Sequence, residues 1–213
     1  MRPITDIRKD YSKYALDIDK INKEPVAQFE IWFEEAIASG CIEPNALTLS
    51  TVSSDGRPSG RVVLLKGVEH GKFIFYSNYQ SQKGRELEQN PSCSLTFFWP
   101  ALERQVRIEG IVARTDYSLS ERYFQSRPRE SQVGTWASPQ SSVIVNREIL
   151  EERVKKIQEK FKGVALLPKP NQWGGYEVDP LKIEFWQGRP NRLHDRIVFT
   201  KIDGAWQIHR LAP

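Results

Sequence analysis

The chain is short of the features that mark most specialised proteins. Its 213 residues include only two cysteines, Cys41 and Cys93. They stand alone, without the paired spacing of a metal or redox site. That argues against a disulfide scaffold or a zinc module and fits a reducing compartment. No apolar run approaches the roughly 18 residues that a membrane span needs. The opening stretch, MRPITDIRKDYSKYALDIDK, lacks the apolar centre of a signal peptide, and its acidic residues argue against a transit peptide, so a cytoplasmic protein is expected. The net charge is +4, but no Lys/Arg tract of five or more accompanies it, and nucleic acid is not an expected partner. No glycine-rich nucleotide loop follows a strand, so any phosphate must be held by side chains.

What is present describes one globular domain, 1–213. The segment from Glu24 to Gly40 predicts a helix opened by Pro25, with Phe29, Trp32, Phe33, Ala36 and Ile37 as its apolar face. From Ala46 the period changes to two. "ALTLSTVS", Asp55-Gly56 and "GRVVLLK" predict a hairpin, continued by "KFIFYS". A short helix over 81–90 stops at Pro91, and "SCSLTFFW" pairs with "RQVRIEGIVART" around Pro100. "SLSERYFQSR" predicts a helix with a serine cap. Residues 146–161 predict another, with Leu150, Val154, Ile157 and Phe161 along one face. "YEVDPLKIEFWQG", "RIVFTKI" and "AWQIHRL" supply the last strands. Sequential antiparallel strands with peripheral helices favour a small closed barrel that is mainly β.

Several clusters concentrate ligand-type residues. In "RVVLLK", Arg61 and Lys66 are five apart, so on an ideal strand they face opposite sides and could serve two anions. "YSNYQSQK" ends in Lys83 near a helix start, where hydroxyls and backbone N–H groups favour phosphate. "RYFQSRPRES" places Tyr123 and Arg127 four apart on a helix face, with Arg129 and Ser131 beyond. "WASPQSS" offers an amide and a hydroxyl, Gln140 and Ser141. Each of these taken alone fits a solvated strand end or polar turn as well. "IEFWQGRPNRLHDR" is harder to explain that way. In extended chain Arg192, His194 and Arg196 point to one side, and the arginines favour a neutral imidazole. Asp195 is the only acid from Arg189 to Arg196. That face suits an anionic, ring-shaped ligand.

"EFWQGRPNRLHDR" and the terminal "RLAP" resemble the signature of the pyridoxine/pyridoxamine 5′-phosphate oxidase family. "RVVLLK", "ERQVRIEG", "YFQSRPRESQVG" and "SPQSS" match further blocks in order, and the resemblance covers nearly the whole chain. It implies an FMN-binding split β-barrel working as a homodimer, with no nucleic acid or membrane partner. The implied reaction oxidises pyridoxine 5′-phosphate or pyridoxamine 5′-phosphate to pyridoxal 5′-phosphate and reduces O₂ to hydrogen peroxide. On this resemblance the stretch Arg61, Val62, Val63, Leu64, Leu65 and Lys66, with Tyr76, Ser77, Gln82 and Lys83, holds FMN. Gln105, Gln140, Ser141, Trp186 and Arg196 contact the flavin. Lys66, Tyr123, Arg127 and Ser131 bind the substrate phosphate. Arg192, Leu193 and His194 form the wall against the pyridine ring, with Arg192 and His194 as the catalytic pair. Residues 1–20 are expected to be a flexible segment that closes as a lid through Arg8 and Tyr11. One departure is Gln82, where relatives often carry arginine; losing that contact weakens FMN binding by about 1–2 kcal/mol. Rival functions are an oxidase of phenazine precursors on the same barrel, a non-catalytic carrier of FMN or pyridoxal phosphate, and an RNA-binding barrel.

Overall fold

The computed structural model describes residues 4–7 and 10–213. Helix α1 (Pro25–Ala38) begins with its proline in the first turn, and Gly40 follows it at φ +72°. It turns Phe29, Trp32 and Ala36 into the core, but Ile37 is 49% exposed and does not belong to the predicted apolar face. Strands β1 (Ala46–Val52) and β2 (Pro58–Leu64) form the expected hairpin, with Gly56 at φ +81° in the turn. A short β3 (Gly67–Glu69) pairs with β4 (Lys72–Asn78). Helix α2 (Gln82–Gln89) is capped by the Ser81 hydroxyl, which accepts the Gly84 N–H. Strands β5 (Ser92–Trp99) and β6 (Arg104–Arg114) follow.

Three helices come next: α3 (Tyr117–Ser126), α4 (Arg129–Ala137) and α5 (Glu148–Lys160). Asp116, not a serine, precedes α3. The sequence pattern does not predict α4: Pro128 opens it, and Gly134 and Thr135 are weak helix formers. The proposed face of α5 is only partly buried. Val154 and Ile157 touch a small cluster of Phe124, Val133, Phe161, Leu167 and Trp173, while no α5 residue is fully buried.

The chain ends in β7 (Trp173–Gln187), β8 (Asp195–Ile202) and β9 (Ala205–Leu211). All pairings are antiparallel, in the order β2-β1-β5-β6-β7-β4-β3, with β8 on β7 and β9 on β8. No ladder joins β2 to β3 among the described residues, so the barrel is split and not closed as the strand pattern alone suggested. Strand β7 changes partner along its length. Residues 173–178 pair with β4, and residues 182–187 pair with β8. Pro180, which has no N–H to give a ladder, lies between the two pairings, opposite a bulge at Glu109/Gly110.

The main core lies between α1 and the inner sheet face. Phe29 sits at its centre, with ring centroids 5.0 Å from both Phe73 and Phe97. Phe29→Ala should therefore destabilise the protein by about 3–5 kcal/mol, the usual range for deleting a buried phenyl ring. Urea unfolding at fixed protein concentration checks this; a loss below about 1 kcal/mol would show that the surroundings close over the gap.

Candidate active site

A cavity of about 770 Å³ lies among β2, β4, the start of β7 and helices α2 to α4. Its lining carries four cations, Arg61, Lys66, Lys83 and Arg127, and no carboxylate. Lys83 is buried, and its Nζ donates only to neutral oxygens, Ser81 Oγ at 3.3 Å and Gln140 Oε1 at 3.4 Å. Burial and the Arg61 charge push its ammonium below the ordinary lysine range, with Glu86 acting the other way. Arg127 is likewise lowered by burial. It donates to Thr135 Oγ1 at 2.8 Å and lies 4.9 Å over the Trp173 ring. Lys66 is exposed, and among the described residues neither it nor Arg127 forms an ion pair.

Arg61 differs from the other three. It donates to Thr51 Oγ1, Ser59 Oγ and the Leu49 carbonyl, and its Nη2 lies 3.3 Å from Glu86 Oε2. Burial alone would raise the Glu86 carboxyl, but hydrogen bonds from Thr51, Ser59 and Gln82, with the Arg61 charge, hold it down at about 2. An aromatic stack forms one wall: Tyr76 lies 3.9 Å from Tyr123 and 5.4 Å from Trp173, centroid to centroid. Burial, then the Glu69 charge, pushes the Tyr76 phenol up to about 12, so it stays protonated near neutrality. Val62, Val63, Leu64, Ser77, Ser131, Gln140 and Ser141 complete the predicted residues found here. Leu65 instead faces the main core, and Gln82 donates its amide to Glu86 outside the cavity.

The remaining predicted residues form a second patch. Gln105, Trp186 and Arg196 are directly opposed on β6, β7 and β8, and so share one sheet face. Arg196 donates to Glu184 Oε1 at 2.8 Å, while Arg107 takes the other oxygen of that carboxylate at 3.0 Å. The His194 ring lies 4.6 Å from Trp186, and Tyr11 meets both rings edge-on. The Arg189 N–H donates to His194 Nδ1 at 3.0 Å, which leaves the proton of a neutral imidazole on Nε2. Burial first, then the Arg192 charge, lowers the His194 pKa, in the direction expected from the arginines. Arg8 lies outside the described residues.

Three expectations from spacing fail for one reason: the chain is not extended or helical where the spacing assumed it was. β2 ends at Leu64, so Arg61 and Lys66 reach the same cavity instead of opposite faces. Asn191 and Arg192 have φ of 56° and 61° in a tight turn, so Arg192, His194 and Arg196 do not alternate along a strand, and Arg192 and Leu193 project into solvent. α3 stops at Ser126, so Arg127 reaches the cavity from beyond the helix end. The acids that neutralise the motif lie within it, at its strand end and its far end: Glu184 holds Arg196, while Asp195 holds Arg189 and Arg210. Trp173, Thr135 and Glu86 escaped sequence reasoning. "NQWGGY" reads as the end of a loop, and nothing in its spacing marks the tryptophan as a cavity wall.

Comparison with known proteins places this geometry. Residues 33–161 match the family model described as pyridoxamine 5′-phosphate oxidase, and residues 173–213 match the model for the pyridoxine 5′-phosphate oxidase C-terminal dimerisation region. The chain belongs to the pyridoxamine 5′-phosphate oxidase family. It is 50% identical to the pyridoxine/pyridoxamine 5′-phosphate oxidase of Burkholderia thailandensis over 100% of both chains. It is 52% identical to that of Leptospira interrogans, over 99% of this chain and 98% of the relative. Among solved structures it is similar to PhzG from Burkholderia lata in complex with tetrahydrophenazine-1-carboxylic acid, with a TM-score of 0.89 and 29% identity over 96% of this chain and 100% of that one. A pyridoxamine 5′-phosphate oxidase-related, FMN binding protein from Nostoc punctiforme shares the fold, with a TM-score of 0.69 and 18% identity over 87% of this chain and 97% of that one. No helix is long and apolar enough to cross a membrane among the described residues.

The Glu86 carboxylate generates a stability prediction with a definite sign. Its folded pKa lies below the ordinary 4.5, so its contribution is present above about pH 4.5 and fades as the pH falls towards about 2. Glu86→Gln should lose about 3 kcal/mol at neutral pH, because it leaves Arg61 unpaired. Denaturant unfolding should show the gap from wild type narrowing as the pH is lowered from about 4.5 towards 2. A gap independent of pH would remove the charge from this account.

Proposed function

We propose that the protein is an FMN-dependent oxidase that converts pyridoxine 5′-phosphate and pyridoxamine 5′-phosphate to pyridoxal 5′-phosphate, reducing O₂ to hydrogen peroxide. One observation carries this reading: among the described residues, a cavity lined by four cations and no acid, three of them without an ion-pair partner. Such a site suits two phosphate groups, one from the cofactor and one from the substrate. Full-length relatives at about half identity, named as oxidases of both substrates, support the same reading.

The donors sort by position. Lys83 at the start of α2, with Ser77 and Arg61, suits the cofactor phosphate, and the short Ser81-capped helix aims backbone N–H groups the same way. Arg127, Lys66, Tyr123 and Ser131 suit the substrate phosphate. The second patch supplies the other wall. Trp173 and Trp186 stand at opposite ends of β7, thirteen residues apart, up to roughly 40 Å of strand. A two-fold partner brings the Trp186 patch of one subunit to the cavity of the other, so the active unit is a homodimer. Gln105, Trp186 and Arg196 then face the flavin, while Arg192, Leu193 and His194 face the substrate ring.

FMN held by these residues would supply a two-electron acceptor for hydride from the substrate carbon. This chain's residues orient the substrate for that step. Arg127 and Lys66 fix the phosphate end. The His194 Nε2–H donates to a polar substituent of the ring. Arg192 lacks an ion-pair partner among the described residues, so its charge is available to the electron-rich ring. PhzG marks the alternative substrate class, since the ligand in that complex carries a carboxylic acid.

The purified protein should be yellow, release FMN and not FAD on denaturation, and bleach when pyridoxine 5′-phosphate is added without oxygen. A preparation that stays colourless after incubation with FMN overturns the assignment. Phosphate dependence gives a sharper test. Losing two charge-assisted contacts costs about 4 kcal/mol, or roughly a thousandfold in kcat/KM, so unphosphorylated pyridoxine should be a very poor substrate. Arg127→Ala should harm the phosphorylated substrate far more than the free vitamin. Equal sensitivity of both substrates would remove Arg127 from the phosphate site.

A further inference from the structure

Residues 10–16 do not hang free of the fold. The N–H groups of Ser12 and Lys13 donate to Glu103 Oε2 at 2.9 and 3.1 Å, and Lys13 Nζ reaches the Ala101 carbonyl at 2.7 Å. The Leu16 N–H donates to Asp195 Oδ2 at 3.0 Å, and Arg189 donates to the Tyr14 carbonyl at 3.1 Å. Between these anchors and the second patch lies Tyr11, with its ring 5.8 Å from Trp186 and 6.0 Å from His194.

Two residues make this placement stereochemically available. A Cβ on Gly188 would stand 2.7 Å from both Cβ and Cγ of Tyr11, closer than real Cβ atoms approach. Glycine is therefore required by close approach, since Tyr11 lies directly against the backbone where β7 ends. Glu103 is 2% exposed and holds φ at 56°, a conformation that costs a non-glycine residue energy unless its surroundings impose it. Its carbonyl accepts the Gly188 N–H at 2.7 Å and the Gln187 amide at 3.1 Å. One residue thus ties the backbone of Gly188 to the backbone of Ser12 and Lys13.

We infer that Gly188 and Glu103 form a seat for residues 10–16, and that both are positioning residues that set Tyr11 against the Trp186–His194 patch. The catalytic consequence rests on the reading of that patch as the substrate wall, whereas the seat itself rests on the contacts above. Asp195 closes the far end of the seat, because the carboxylate that takes Leu16 also takes Arg210 at 2.8 Å. The segment is thereby fixed over the residues that follow Tyr11, from Ser12 to Leu16.

The test uses the FMN-loaded dimer of wild type, Gly188→Ala, Tyr11→Ala and the double variant, with Glu103→Ala as an independent way to empty the seat. Two measurements are made on each: trypsin cleavage after Lys13, and the KM for pyridoxine 5′-phosphate. Gly188→Ala and Glu103→Ala should both speed cleavage after Lys13. Gly188→Ala should raise KM between about tenfold and a hundredfold, the scale of an ångström-sized misplacement, with FMN content unchanged. The double variant should be no worse than the poorer single one, because both changes act through the same ring. Cleavage at the wild-type rate in Gly188→Ala and Glu103→Ala, or additive penalties in the cycle, overturns the seat. If Tyr11→Ala leaves KM unchanged while Gly188→Ala still exposes Lys13, the seat stands and the assignment of Tyr11 to the substrate wall is what fails.

Discussion

Like charges repel, and the cavity gathers Arg61, Lys66, Lys83 and Arg127 without an acid in its lining. The repulsion is real at the buried centre, where the Arg61 charge adds to burial in lowering the pKa of Lys83. Among the described residues only one of the four has a carboxylate partner: Glu86 meets Arg61 from behind, out of the cavity. The protein has thus neutralised the cation that anchors β2 to α2 and left the other three for something else. An arrangement of this kind is destabilising until anions enter, and anions that bind the folded state stabilise it by mass action. Cofactor and substrate binding are therefore coupled to folding stability through the same charges.

The sheet explains why those charges do not meet the second patch within one chain. β7 is shared between two neighbours, β4 along its first half and β8 along its second, and Pro180 marks the change. Its first residue, Trp173, belongs to the aromatic wall under Arg127, while Trp186 near its end belongs to the His194 patch. A strand that long cannot bring its own ends together, so on the proposed function the composite site needs a second copy. The buried Glu184 fits this account. It lies between Arg107 and Arg196 on the outer sheet face, where an unpaired charge would be costly once a partner covered it.

The sequence shows some of this and hides the rest for identifiable reasons. Alternation of apolar residues was sufficient to place β1, β2, β4, β5, β6, β8 and β9, because each contributes at least one apolar side chain to the same core. Most candidate site residues were assigned through the family resemblance, since each polar cluster taken alone also fits a solvated strand end or turn. Their directions were not legible. The positive φ of Arg192, the end of β2 at Leu64 and the end of α3 at Ser126 each break the periodicity from which direction was inferred. Helix α4 was hidden by weak helix formers, and Trp173 by its position after a Pro/Gly-rich loop. The acid partners were hidden for two reasons: Glu86 is 25 residues from Arg61, and Glu184, though inside the motif, meets Arg196 only once β7 and β8 pair.

What the cavity offers chemically is also uniform. Its arginines and lysines are hydrogen-bond donors, and the Tyr76 phenol, pushed up to about 12, is a donor as well. In the second patch the His194 Nδ1 is already occupied as an acceptor, so the ring presents Nε2–H outward. None of these groups is arranged to take a proton from a substrate carbon or oxygen. A site composed of donors can hold an anion firmly and orient it, but can contribute little as a base. On the proposed function, specificity resides in the phosphate anchor and in the Tyr11–Trp186–His194 wall. Both features stand on strand ends, loops and the peripheral helices, so they can vary while the sheet beneath them stays as it is, and a 29% identical neighbour on this fold is described in complex with a phenazine acid.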